Sequence, residues 1–129
     1  MAKNRLTEEL EWRGCRLCPL CEGRRTVVFG YGDIHANLMF VGEGPGELED
    51  ARGVPFIGKA GEVLDKFLQY FGLSRDDVFV NNVVACRPPG NRDPLADEID
   101  MCLPRLQETI YLVDPIVIVT LGKIAFNAV

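Results

Sequence analysis

Leu38-Met39-Phe40-Val41-Gly42-Glu43-Gly44-Pro45-Gly46 decides the fold. Four consecutive apolar residues predict a strand buried on both faces, and Gly-Glu-Gly-Pro-Gly predicts a loop that neither continues it nor starts a helix. Working outward, residues 37–41 read as this strand, and residues 27–31 read as another before a turn at Gly32-Asp33. Downstream, Val63, Leu64, Phe67, Leu68 and Phe71 recur at helical spacing over 59–71, with Gly72 as the stop. Residues 78–84 and 116–121 repeat the buried-strand pattern. Between them, 96–113 reads as a helix with Ile99, Cys102, Leu103, Leu106 and Ile110 on one face; Pro104 should kink it or mark its true start. A short helix over 6–13 precedes the cysteines, and Gly122 opens a helix running to Val129. Strands alternating with helices predict an α/β fold with a mainly parallel sheet covered on both faces. Ligands in such sheets sit beyond the carboxyl ends of the strands. The loops at 42–50, at 82–92 and after Leu121 are therefore expected to converge on one site. With no repeat or linker, residues 1–129 read as a single domain.

The 129 residues are 47% hydrophobic and 26% charged, an ordinary balance for a soluble globular chain. No apolar run is long enough to cross a bilayer, and the first residues, Met-Ala-Lys-Asn-Arg-Leu-Thr-Glu-Glu, lack the apolar stretch of a secretory signal. A cytoplasmic location without membrane attachment is the expectation. The formal charge of -5 argues against a uniformly basic, non-specific duplex binder, but leaves room for a local basic rim.

Five cysteines, Cys15, Cys18, Cys21, Cys86 and Cys102, are an odd count, and in a reducing compartment they favour ligation over disulfides. Four thiolates drawn from a CxxC and two later positions suit a [4Fe–4S] cluster or a tetrahedral zinc, and the spacing separates neither from the other. Buried cysteines acting as small hydrophobes are the simpler alternative. Cys21 extends the pattern to CxxCxxC, which can itself carry three ligands.

Taken together, several segments give the chain a resemblance to the family 4, iron–sulfur uracil-DNA glycosylases. They are Cys15-x-x-Cys18, Glu22-Gly-Arg24, the stretch from Val41 to Asp50, Gly53-Val-Pro-Phe56-Ile-Gly58-Lys-Ala-Gly61, the stretch from Asn81 to Arg92, and Leu121-Gly122. The glycine-rich loop alone matches neither GxGxxG nor a Walker loop. The resemblance implies a three-layer α/β/α sandwich that excises uracil from single- or double-stranded DNA. It also implies a structural [4Fe–4S] cluster held by Cys15, Cys18, Cys86 and Cys102, tying an N-terminal segment of about 1–25 to the rest, with Cys21 not a ligand. Zinc stays the alternative, and a non-catalytic uracil- or DNA-binding module or a zinc-stabilised interaction domain is the competing function.

The chemistry requires a site that holds a flipped base, reads its edge and stabilises charge on its oxygens. Asn82 matches the family's base reader: its amide can donate to uracil O4 and accept from N3–H, the reverse of what cytosine needs. Read alone, an asparagine ending a strand is a turn residue. Phe56 matches the aromatic that stacks on the base, and would otherwise read as core. The resemblance gives Glu43 a catalytic role at the glycosidic bond, such as positioning water, and puts Glu49 near uracil C5. Gly42 and Gly44 let the backbone approach the base. With Glu47 and Asp50, these make four carboxylates; most are expected to point away from DNA or to be paired. Arg87, Arg92 and Lys59 are candidate phosphate contacts, and His35 reads as a surface residue.

The family carries a later His-Pro-Ser motif whose histidine donates to uracil O2, and these 129 residues contain none. On that ground the last strand and helix of the sandwich are expected to be missing, and the chain to be weak or inactive by itself. An incomplete sheet is further expected to expose apolar surface and self-associate.

Overall fold

The computed structural model describes residues 20–129. The helix read over 6–13, together with Cys15 and Cys18, lies outside the described residues. In chain order the elements are α1 (Leu20–Gly23), β1 (Tyr31–Gly32), β2 (Leu38–Gly42), α2 (Glu47–Arg52), α3 (Lys59–Tyr70), β3 (Phe79–Asn82), α4 (Ala96–Val113), β4 (Val117–Thr120) and α5 (Lys123–Ala128). One-turn 3-10 helices at Arg75–Asp77 and Pro89–Asn91 sit in the connections.

The sheet has the order β1-β3-β2-β4. β2 pairs parallel with β3 on one side and β4 on the other, while β1 closes the far side of β3 antiparallel. Side chains alternate across β2 as the strand period requires. Met39 and Val41 pack with Leu106 and Val113 of α4 and Ala125 of α5; Phe40 packs with Leu64 and Leu68 of α3. Helices thus cover both faces, which is the three-layer α/β/α arrangement expected.

The differences from expectation are local. Residues 27–31 do not form a strand of that length, and pairing is confined to Tyr31 and Gly32. Val27 and Val28 are buried, and Val28 N–H donates to the Ala85 carbonyl at 2.7 Å; the apolar signal there reports burial and not a ladder. Pro104 lies inside α4 and not at its start. The stretch 42–50 is not all loop, because α2 begins at Glu47. Glu47, Glu49 and Asp50 crowd its first turn, where carboxylates favour the helix dipole, and Gly53 ends it in the left-handed conformation at φ 73°. β4 is one of the two outer strands of this sheet, with Val117 exposed, and beside it Phe40, Val63, Phe67, Val119 and Leu121 line an apolar groove of about 440 Å³.

Candidate active site

The three predicted loops do converge. Gly42 is the last residue of β2, Asn82 the last of β3, and Leu121 follows β4; all three line one cavity of about 300 Å³. Glu43, Gly44, Glu49 and Phe56 line it as well. Every residue to which the resemblance gives a role at the base therefore borders the same hollow.

Gly42 sets the floor. A Cβ built there would lie 2.5 Å from Phe56 Cζ and 2.6 Å from Asn82 Oδ1, so the ring and the amide meet over bare backbone. Asn82 is 5% exposed, and its carbonyl accepts from Arg105 Nη2 at 2.6 Å. Arg105 is itself buried, and its Nε donates to Cys102 Sγ at 3.4 Å. One guanidinium thus joins the strand end that carries Asn82 to Cys102.

Glu49 is engaged by backbone. Its Oε1 accepts Gly46 N–H at 2.9 Å, and its Oε2 accepts Gly58 N–H at 2.9 Å and Ile57 N–H at 3.3 Å. Neighbouring Asp50, buried, accepts Arg25 N–H at 2.8 Å and Thr26 N–H at 3.3 Å. Two of the four loop carboxylates are thus paired with amides, while Glu47 is exposed. Glu43 differs. Burial pushes its carboxyl above the usual carboxylate value, and the negative charge of Asp93 and a hydrogen bond with it push the same way. A Cβ at Gly122 would collide with Glu43 Oε1, so that glycine, at φ 98°, makes room for the carboxyl.

Of the basic residues, Lys59 lines the cavity, whereas Arg87 and Arg92 do not. Arg87 Nε donates to Asn91 Oδ1 at 2.8 Å. Arg92 forms a two-pronged pair with buried Glu98, at 2.7 and 2.9 Å, and this pair holds the Glu98 carboxyl below its usual value. His35 is exposed and away from the cavity lining.

Cys86 and Cys102 pack in the same apolar cluster, Cys86 buried and Cys102 half-buried. Arg24 Nη1 donates to Cys86 Sγ at 3.3 Å, matching the donor on Cys102. N–H donors aimed at sulfur are what a metal-bound thiolate accepts, so this pair of cysteines fits a thiolate-ligated centre. Among the described residues no group of three or more ligating side chains stands together. Arg105 and Asp93 were not found by sequence reasoning, and Arg24 was noted only within the Glu22-Gly-Arg24 segment. Arg105 stands three residues after Cys102 on α4, a spacing that could have marked that bond, whereas the contacts of Arg105 with the Asn82 carbonyl, of Arg24 with Cys86 and of Asp93 with Glu43 join residues distant in the chain.

A small cavity walled by an aromatic ring, an amide, carboxylates and bare glycine backbone lies at the carboxyl ends of parallel strands in an α/β/α sandwich, the place where sheets of this class form their ligand sites. The profile of the Uracil DNA glycosylase superfamily matches residues 29–129, and the chain belongs to that superfamily. It is 48% identical over 114 residues to the Type-4 uracil-DNA glycosylase of Saccharolobus solfataricus, covering 88% of this chain and 53% of that protein. It is 50% identical over 110 residues to the Type-4 enzyme of Sulfurisphaera tokodaii (84% and 50%), and 46% identical over 113 residues to that of Thermotoga maritima (88% and 59%). The chain spans about half the length of the curated relatives it matches.

Proposed function

We propose that the protein to which this chain belongs excises uracil from DNA by breaking the bond between deoxyribose and base, as its relatives are named for. The convergence of Gly42, Glu43, Phe56 and Asn82 on one cavity of about 300 Å³ is the observation that carries the reading. In the transition state the sugar gains positive charge and the uracil negative charge. Phe56 stacks on the flipped base, an interaction worth about 1–3 kcal/mol. The Asn82 amide donates to O4 and accepts from N3–H, rejecting cytosine by polarity. Glu43 stands at the glycosidic bond and orients the attacking water. Glu49 fixes the wall facing C5. Lys59 meets a flanking phosphate on the cavity rim. Uracil-containing DNA, single- or double-stranded, is the partner.

Cys15, Cys18, Cys86 and Cys102 would hold a [4Fe–4S] cluster, with zinc as the alternative for the same four sulfurs. Bound there, it would supply a structural tie and no step of the reaction. The guanidinium donors on Cys86 and Cys102 support this assignment. The cytoplasm is the proposed location; among the described residues no helix is long and apolar enough to cross a membrane. Self-association through the β4 side is proposed for the isolated chain, from its apolar groove.

An oligonucleotide bearing one uracil, incubated with the chain and then with alkali, tests the function. Strand scission at the uracil is expected, removed by Asn82→Ala. No scission and no preference for uracil over thymine in binding would sink the proposal.

A further inference from the structure

Phe56 is one of three non-glycine residues with positive φ among the described residues, at 56°. That conformation is disfavoured for a bulky side chain and persists only where its surroundings over-determine it. Here they do. On one side of the turn, the Glu49 carboxylate takes the Ile57 and Gly58 amides. On the other, Arg75 takes the carbonyls: Nη1 donates to Pro55 O at 2.8 Å, and Nη2 donates to Phe56 O and, at 3.4 Å, to Gly61 O. Asp65 of α3 fixes the plane of the guanidinium, accepting from Nε at 2.6 Å. Gly61 completes the fit, because a Cβ there would run into the Phe56 carbonyl and lie 2.9 Å from Arg75 Nη2. Arg75 does not line the cavity; it stands behind the wall that Phe56 forms.

We propose that Arg75 is a positioning residue: its fork holds the left-handed turn at Phe56 and so presents the ring to the base. The proposal rests on the reading of Phe56 as the stacking residue. The three guanidinium nitrogens reach Asp65, the Pro55 carbonyl and the Phe56 carbonyl separately, whereas lysine carries all its donors on one nitrogen without the planar fork, so Arg75→Lys should restore only part of what Arg75→Met removes.

The test uses the whole chain and a single-stranded oligonucleotide carrying 2′-fluoro-deoxyuridine, which resists cleavage, with binding read by fluorescence anisotropy. Arg75→Met is expected to weaken binding by about tenfold, within the range of one lost base stack. Arg75→Lys should fall between it and the parent. Phe56→Ala should lose a similar factor, and adding Arg75→Met to it should cost nothing further, which a merely structural role for Arg75 would not produce. Circular dichroism at the assay temperature confirms that each variant is folded. Independently of binding, the Phe56 Cα and carbonyl ¹³C shifts should move in Arg75→Met. If Phe56→Ala weakens binding and Arg75→Met does not, or if those shifts stay put, the proposal is overturned. If Phe56→Ala itself binds like the parent, the stacking reading has failed and the proposal falls with it.

Discussion

Glu49→Gln isolates what a single carboxylate does for the site. The change keeps the shape and replaces one acceptor oxygen by an NH2 donor. Whichever way the amide turns, that donor faces a backbone N–H: Gly46 in one orientation, Ile57 and Gly58 in the other. At least one charge-assisted bond is lost and the others become neutral. Such bonds are worth about 1.5–3 kcal/mol each, and the half-exposed setting places the loss near 2 kcal/mol. For a chain of this size that corresponds to a fall in Tm of about 8 °C. Thermal unfolding followed by circular dichroism reads it directly. Glu47→Gln, on the same helix but exposed, serves as the control and should stay within about 1 °C. A fall of less than about 2 °C for Glu49→Gln would refute the reasoning, because the three amides would then be satisfied without the carboxylate.

Other outcomes follow from the same geometry. Gly42→Ala should cost about 1–3 kcal/mol of stability from overpacking against Phe56 and Asn82, and should abolish binding of the fluorinated oligonucleotide; a variant that binds normally would mean that the ring and amide do not face the base. Glu43 has a raised folded-state pKa, so its contribution to stability is fully present below the ordinary carboxylate value and is lost as pH rises through the folded value. Glu43→Gln should therefore be more stable than the parent at neutral pH, with the gap closing in acid; denaturant titrations at several pH values would show a constant gap if the carboxyl were unperturbed. Anaerobically purified chain should carry iron and sulfide and be brown, and Cys86→Ser should lose both; stoichiometric zinc with no iron would favour the alternative centre. Sedimentation velocity should show concentration-dependent association that Phe67→Glu, in the apolar groove, removes; a monomer at every concentration would mean that the groove is self-sufficient.

The three parallel strands were legible because each is an apolar-rich run, and α3 because its stripe keeps helical spacing; β1, two residues long, was not. Leu38 to Val41, Val78 to Val84 and the stripe on α3 could be read without knowing what they touch. α2 escaped because glycine and proline dominate the surrounding residues. Its signals were nonetheless present: a carboxylate three residues after Gly46, and Gly53 beyond the last turn. The pocket residues were another matter. Read alone, Asn82 is a turn asparagine and Phe56 a core ring, and only the resemblance separated them from those readings. The groups that hold them, Arg75 behind Phe56 and Arg105 behind Asn82, reach backbone carbonyls about 20 residues away. A side chain can meet a main-chain oxygen anywhere, so no pattern in the sequence announces such a bond.

α2 is too short to persist as an isolated helix. Its two adjacent acids nonetheless grip three separate stretches of chain: Gly46, the Ile57–Gly58 pair, and the Arg25–Thr26 pair. Amides in such loops ordinarily trade their protons for solvent deuterium quickly. Here they should be slow and share one opening free energy, because releasing any of them requires the same six residues to unwind. The smallest helix in the wall of the cavity would then appear, in isotope exchange, as the hub of a single cooperative unit.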